Sequence, residues 1–186
     1  GVKIGPNANV IKVTSIFTGF CNNHDSTLFK PIDTNNYEIG NEEQEFLFAY
    51  KALAKEHNIK LSMYDAYKEI DNWITNNNVG ELRKFHLIRY DNDLDILKDN
   101  LGWLKLMLEN FKASTRELNH LKKIMNINLD SNRYSNLITK VLTFKEEYPL
   151  ACSSCISPTD DFEGKNINNF KLLNNDLHNF FLTIFP

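Results

Sequence analysis

A run of apolar residues at alternating intervals of three and four constrains the fold of this chain more than any other feature. Its members are Leu94, Leu97, Leu101, Leu104, Leu108 and Phe111. This heptad spacing is typical of a helix that packs lengthwise on another helix, at a crossing angle of about +20°. It predicts one helix that begins at Asp91–Asn92–Asp93. Gly102 lies inside the run, and since Gly costs about 1 kcal/mol relative to Ala in a helix, we expect another helix to approach closely there.

Other segments also carry the helical period. Asn41 is a predicted N-cap, with three glutamates following it to complement the positive end of the helix. Ser62-x-x-Asp65 and Ser114-x-x-Glu117 have the form of capping boxes that open two further helices. The predicted helical segments besides the heptad run are 41–58, 62–75, 81–90, 114–125, 134–142 and 167–184.

Glycine and proline are scarce, at 7 and 5 residues of 186, which is too few for the turns of a many-stranded sandwich. The sequence therefore predicts an all-α fold, an antiparallel bundle of five to seven helices spanning residues 41–186. Residues 1–40 are expected to form an extended, partly irregular N-terminal arm packed on the bundle. Residues 9–18 are β-branched enough for a strand, but no partner strand is evident.

Composition bears on the source and on the partners. The chain has 26 Asn, and its 17 Lys far exceed its 4 Arg, a bias typical of an A/T-rich genome. An amide-rich recognition surface is the alternative interpretation of so many asparagines.

The net charge of −3 gives no bulk attraction to nucleic acid, so no nucleic-acid partner is predicted. No run of 18 apolar residues occurs, and no membrane span is predicted in this segment.

Two cysteines stand three residues apart in the stretch LACSSCISP, within a predicted loop of about fifteen residues. A redox motif would need a strand before it and a helix after it, and zinc would need four ligands. Only Cys21 remains, so a structural staple is the favoured interpretation. Cys21 would bridge to Cys152 or Cys155, tying the arm to the bundle and contributing about 2–4 kcal/mol. A local Cys152–Cys155 bridge and three free thiols are the alternatives.

Other motifs do not support chemistry. Glu117-x-x-His120 occurs once, whereas di-iron bundles need two such pairs. The stretch from Asp91 resembles a calcium loop but has Ile96 and Gly102 where Gly and Glu are required. Phosphate-binding and nucleophile-elbow glycine motifs are missing. The sequence therefore assigns no catalytic, metal or cofactor residues and predicts no enzyme.

Aromatic residues are the candidate interface anchors, because Tyr and Trp dominate binding hot spots, although helical spacing also suits core positions. The candidates are Tyr64, Tyr67, Trp73, Trp103 and Phe181. We predict a non-enzymatic helical domain that binds a protein partner. A secreted or surface protein of a microbe, parasite or virus, acting at a host–pathogen contact, fits the Asn-rich composition and a disulfide staple. A cytoplasmic protein is the alternative location. A carrier of an apolar small molecule and an enzyme with an unrecognised site are the alternative functions, and the oligomeric state is open.

Overall fold

The computed structural model describes residues 26–90, 92–142, 152–161, 163–168 and 180–184. These residues are mainly helical, which confirms the mainly-α class, whereas a bundle of five to seven helices is not confirmed. The elements in chain order are α1 (Lys30–Asp33), α2 (Glu42–Thr75), α3 (Val79–Lys84), α4 (Asp93–Asp99), α5 (Leu101–Asp130), a 3₁₀ turn (Tyr134–Asn136), β1 (Cys152–Ile156) and β2 (Phe180–Ile184).

The two long helices, α2 and α5, form an antiparallel pair. Tyr50 Oη donates to Asn126 Oδ1 at 2.8 Å, and the ring of Tyr67 lies 5.9 Å from that of Trp103, so numbers rise on one helix as they fall on the other. At 1.5 Å per residue, the 34 residues of α2 extend about 50 Å. The pair is the long axis on which the other elements pack.

The predicted break within each long helix is wrong. The helix expected to end at His57 continues through Ser62, and the helix expected to begin at Ser114 is already under way. Neither stretch contains a glycine or proline that would stop it, and each added residue contributes one more backbone hydrogen bond. The break falls instead at Asn100, between α4 and α5, inside the heptad run.

The predicted start of α2 is confirmed. Asn41 Oδ1 accepts the backbone N–H of Gln44 at 3.1 Å, and Glu42, Glu43 and Glu45 occupy the first turn. The buried Gln44 side chain then organises the preceding loop. Its amide nitrogen donates to the carbonyls of Pro31 and Asn36, each at 3.0 Å, and its Oε1 accepts from the N–H of Glu38 at 2.8 Å. These three hydrogen bonds join Gln44 of α2 to the backbone of the preceding segment, so they hold that segment against α2.

At three helix ends, one residue adopts the left-handed backbone conformation. Asn77, His86 and Asn132 have φ of 53°, 58° and 52° and follow the C-caps of α2, α3 and α5. At each end the next N–H reaches back to the third-last helical carbonyl, as in Leu87 N to Leu82 O at 2.9 Å. This is the Schellman arrangement, in which Gly is usual and Asn is tolerated. Asparagine therefore occupies the left-handed position at two of these three helix ends, Asn77 and Asn132.

Two separate cores lie along the helical pair. The first joins α1 and one end of α2 to α5 and β1, and it includes Phe29, Phe46, Leu53, Leu118, Met125 and Cys155. The second, at the other end, comprises Ile74, Leu82, Ile88, Leu94 and Leu104. Between them, residues 58–66 of α2 include no buried side chain. We call this segment and the part of α5 facing it the waist.

A two-stranded antiparallel sheet was not predicted. Strand β1 pairs with β2 so that Cys152 faces Ile184 and Cys155 faces Phe181. The expected loop at 152–156 and the expected helix at 180–184 are therefore wrong. Phe180–Ile184 is aromatic and β-branched, a composition that favours a strand, and periodicity alone does not separate the two in a short apolar run.

Two smaller predictions also fail. The segment 134–142 forms only a 3₁₀ turn and then leaves helical structure, with Ile138 98% exposed, because its β-branched residues are weak helix formers. Gly102 lies in α5, but an added Cβ would meet no atom of the described residues within 4 Å, so no described helix approaches closely there.

The described part of the N-terminal region, residues 26–40, contains α1 and the fully buried Phe29. Asp33 binds Lys51 of α2 at 2.9 Å, which holds this segment against the helical pair. The candidate strand at residues 9–18 lies outside the described residues. The boundary between an arm and a bundle stays a prediction.

Candidate functional site

The sequence-predicted anchors lie in different places. Phe181, on β2, is partly buried against the first core, so it serves packing there. Tyr67 and Trp73 pack partly against the second core. Tyr64 lies at the waist, and Trp103, in the first turn of α5, is 56% exposed. The structure therefore does not bring the five together into one site.

Three aromatic rings pack together across the helical pair, and the ring of Tyr67 contacts both of the others. Its ring lies 5.9 Å from Trp103 at 61° and 5.2 Å from Phe111 at 33°. Such edge-on and tilted contacts are favourable beyond the apolar area they bury. We call Tyr67, Trp103 and Phe111 the aromatic surface. The large exposed ring of Trp103 is thus held in place by a neighbour rather than left mobile.

A second aromatic pair lies where α2 and α3 meet. Trp73 stacks on Phe85 with centroids 5.0 Å apart and rings 19° from parallel. Phe85 is exposed, and Lys84 Nζ lies 5.4 Å from the centre of its ring. Tyr90, further along the same connection, is exposed as well. This end of the molecule therefore presents several large side chains to solvent.

A groove of about 460 Å³ lies at the waist, between α2 and α5. Its lining residues are Leu61, Tyr64, Lys112, Thr115, Arg116, Asn119, His120 and Lys123. Three of them are cations and a fourth is a histidine, whereas none of these eight described residues is a carboxylate. We call it the basic groove. Leu61 and Tyr64 form its α2 wall, and the charged residues come from α5.

Two of the three cations have acidic neighbours on their own helix. Lys112 Nζ lies 3.8 Å from Glu109, and Arg116 lies 3.8 Å from Glu117. Both distances are long for an ion pair, and the two basic side chains are mostly exposed, so these contacts contribute little. Lys123 forms no ion pair with the part of the chain that the structure describes. The described lining of the basic groove therefore includes at least Lys123 as a cation with no described ion pair.

A hydrogen bond across the helical pair fixes one wall residue. The ring Nε2 of buried His57 lies 2.9 Å from Asn119 Oδ1. Because an amide oxygen only accepts, Nε2 carries the proton and donates it. Asn119 is also one of the residues that line the basic groove.

Thr115 is an exception to the usual pairing of buried polar groups. The residue is 9% exposed, and its hydroxyl oxygen has no hydrogen-bond partner among the described residues. A buried unpaired hydroxyl costs about 1–3 kcal/mol, so such groups are uncommon in folded proteins. Thr115 lines the basic groove, between Lys112 and Arg116 in sequence.

Cys152 and Cys155 do not form the local bridge that was an alternative to the predicted bridge from Cys21. Cys152 and Cys155 are both free, the first exposed and the second buried. Residues three apart in a strand point to opposite faces, so a Cys152–Cys155 bridge is excluded. Burial, with a smaller contribution from Glu56, raises the pKa of the Cys155 thiol to about 11, which makes it a poor nucleophile. Cys21 lies outside the described residues, and its pairing stays a prediction.

Sequence reasoning missed the basic groove, although its signal was present. Lys112, Arg116 and Lys123 follow at intervals of four and seven, which places them on one face of a helix.

Within the described ranges, no group of three or more His, Cys, Asp or Glu side chains is placed to hold a metal. No described helix has both the length and the apolar character needed to cross a bilayer.

Comparison with known proteins adds no assignment. The chain matches no protein-family model, and it has no significant match among curated proteins or solved structures. Its function is therefore argued from its own residues.

Proposed function

We propose that this chain is a non-enzymatic binding protein that engages a protein partner through the aromatic surface. The observation that carries the proposal is Trp103, a tryptophan more than half exposed on a rigid helix. Tryptophan is among the residues most enriched at binding hot spots, where its large ring fills a pocket on the partner.

The contact with Tyr67 supports this role. Ordering a side chain at an interface costs about 0.5–1.5 kcal/mol, and a ring already held by a neighbour loses less freedom on binding. Tyr67 holds Trp103 from α2 while Phe111 supports Tyr67 from α5. The anchor is therefore preorganised in the free protein.

The alternative functions have weaker support. A carrier of an apolar molecule needs a mostly apolar cavity, whereas the basic groove has a polar and cationic lining. No described cluster of side chains favours an enzyme. A secreted or surface location remains part of the proposal, although the free thiols of Cys152 and Cys155 lend it no support.

The test compares two matched variants of the full chain. Trp103→Ala removes the anchor, and Leu106→Ala removes a side chain of nearly equal exposure, 55% against 56%, one turn further along α5. A protein captured by the immobilised chain is identified, purified and titrated against each variant. We expect Trp103→Ala to weaken binding by about thirtyfold or more, as hot-spot truncations do, and Leu106→Ala to have little effect.

Circular dichroism and sedimentation serve as controls for folding and self-association. Equal affinity of the wild type and a folded Trp103→Ala variant would contradict the proposal. Failure to retain any protein above a blank matrix would contradict it as well.

A further inference from the structure

We propose that residues 137–142 are a processing site, cut at the Lys140–Val141 peptide bond by an endoproteinase of trypsin-like specificity. In this hydrolysis one water is added. Its oxygen bonds to the carbonyl carbon of Lys140, the bond from that carbon to the Val141 nitrogen breaks, and the nitrogen takes a proton. The products are a carboxylate on Lys140 and an amine on Val141. The segment contains no residue of the aromatic surface, so this inference and the proposed function can fail separately.

The exposure of this segment is the first argument. Leu137 follows the 3₁₀ turn with an extended backbone, φ −95° and ψ 126°, and residues 138–142 belong to no helix or strand. Ile138 is 98% exposed and Leu142 71%, so two aliphatic side chains lie in solvent rather than on the body of the protein. An extended peptide can pair its backbone with an enzyme as an added strand, and exposed connections are the preferred sites of proteolytic nicking. This segment therefore fits an enzyme cleft without prior unfolding.

The side-chain pattern indicates the specificity. Side chains alternate along an extended segment, so Ile138, Lys140 and Leu142 share one side when the segment is bound in that form. Trypsin-like enzymes carry an aspartate in the pocket that receives the residue before the cut bond, and the exposed ammonium of Lys140 complements it. Val141 follows, and unlike a proline it has a backbone N–H and an unrestricted φ. A cation between two exposed aliphatic side chains thus predicts cleavage after lysine.

Few other basic residues of the described ranges lie outside regular structure. Those outside the helices and strands are Arg89, Arg133, Lys140 and Lys165. The N–H of Arg89 donates to Asp93 Oδ2 at 2.8 Å, and the N–H of Arg133 donates to the Asn128 carbonyl at 2.8 Å. Both residues therefore lie in hydrogen-bonded turns beside a helix, and an enzyme has to open those turns before it can bind the backbone.

Lys165 is held by two backbone hydrogen bonds. Its N–H donates to Asp161 Oδ1, and its carbonyl accepts from the N–H of Asp161, each at 2.9 Å. Such a closed turn does not have the extended form in which a peptide pairs with an enzyme. Lys140 differs from the other three, since it lies in an irregular and exposed stretch beside Ile138. Among the described basic residues it is the one best placed for cleavage.

Packing predicts the fate of the products. The part of the chain after the cut contains both strands, and β1 contacts α2 directly. Cys155 of β1 belongs to the first core, Phe181 of β2 packs against it, and Phe46 from before the cut lies in the same core. Hydrolysis of the proposed bond removes none of these contacts. The two pieces should therefore stay together as a nicked protein.

Limited trypsin digestion of the full chain tests the inference, in reducing buffer so that no disulfide links the pieces. Mass spectrometry measures the rate at which each new chain end appears. We expect the cut after Lys140 to be about tenfold faster than the cuts at the other three basic sites, because each of those first loses a backbone hydrogen bond. Size-exclusion chromatography should recover the piece that ends at Lys140 together with the piece that begins at Val141, and denaturant should separate them.

Variants distinguish recognition of the lysine from a change in local structure. Lys140→Gln should remove the trypsin cut at this bond, whereas Lys105→Gln, an equal charge change at an exposed position of α5, should leave its rate unchanged. An elastase-like proteinase, whose pocket takes a small side chain, should still cut the Lys140→Gln variant within residues 137–142. Continued elastase cleavage would show that the segment stays open and that only the specificity has changed.

Three results would overturn the inference. One is trypsin cleavage at any of the other three basic sites as fast as at Lys140. Another is resistance of residues 137–142 to both enzymes in the folded wild type, which would mean that the segment is closed in solution. The third is separation of the two pieces in native buffer, which would show that the two strands do not hold them together.

Discussion

His57 on α2 donates a hydrogen bond from Nε2 to Asn119 Oδ1 on α5 at 2.9 Å, joining the two long helices beside the waist. His57 is buried, so its ring N–H has little access to water as a substitute acceptor. Together with the hydrogen bond from Tyr50 to Asn126, this contact helps to set the register of the two helices.

Replacing Asn119 by Ala should lower the free energy of unfolding by about 1–3 kcal/mol, because the His57 N–H is left buried without an acceptor. Urea unfolding measures the change. Asn110→Ala, at an exposed position of the same helix, is the control and should change it by less than about 0.5 kcal/mol. Because Ala has a higher helix propensity than Asn, propensity alone would stabilise both variants, and a loss of the same size in both would mean that the hydrogen bond is not responsible.

Replacing Thr115 by Val should stabilise the protein by about 1–2 kcal/mol, because it removes a buried unpaired hydroxyl and keeps the β-branched shape. The melting temperature is the measurement. Thr115→Ser keeps the hydroxyl and should give no gain. A destabilised Val variant would show that the hydroxyl has a partner in solution.

Replacing His86 by Gly should stabilise the protein by about 0.5–1 kcal/mol, because φ of 58° is strained for residues with a Cβ and free for glycine. The matched control is Lys84→Gly in the last turn of α3, where glycine should instead cost about 1 kcal/mol. Chemical denaturation distinguishes the two signs. Destabilisation by both changes would place His86 in an ordinary helical conformation in solution.

The thiols should differ in reactivity. In a Cys21→Ser variant at pH 8, iodoacetamide should modify exposed Cys152 readily and Cys155 only on unfolding. Mass spectrometry of the peptides reads both sites. Modification of both thiols at equal rates in the folded protein would contradict the buried position of Cys155.

The same thiol predicts a pH dependence of stability. Because folding raises the pKa of Cys155 from 9.0 to about 11, the folded state favours the neutral thiol. Its contribution to stability is fully present below pH 9 and is lost as the pH rises toward 11. Cys155→Ala should remove this part of the alkaline decline, which thermal unfolding between those pH values measures.

Sequence periodicity predicted where most of the chain is helical better than where each helix begins and ends. Leu94 and Leu104 of the heptad run are buried, as a packed seam requires. The break at Asn100 was missed because the apolar spacing continues across it without a proline. Serine capping boxes at Ser62 and Ser114 were misleading, since a cap forms only where the chain has another reason to leave the helix.

Local sequence patterns could not predict the features that depend on residues far apart in the chain. Strand β1 exists because Phe180–Ile184 pairs with it, and no local signal in Cys152–Ile156 indicates that partner. The basic groove likewise needs the register that brings Tyr64 opposite Thr115. The sequence shows that the three cations share one face of a helix, but it does not show whether that face lines a groove or is simply exposed to solvent.

The waist has a mechanical consequence. Each end of the helical pair is braced by its own cluster of buried side chains, whereas the middle, as far as the described residues show, consists of α2 and α5 alone. Flexing is therefore expected to concentrate there, and the two ends to tilt relative to one another as near-rigid blocks.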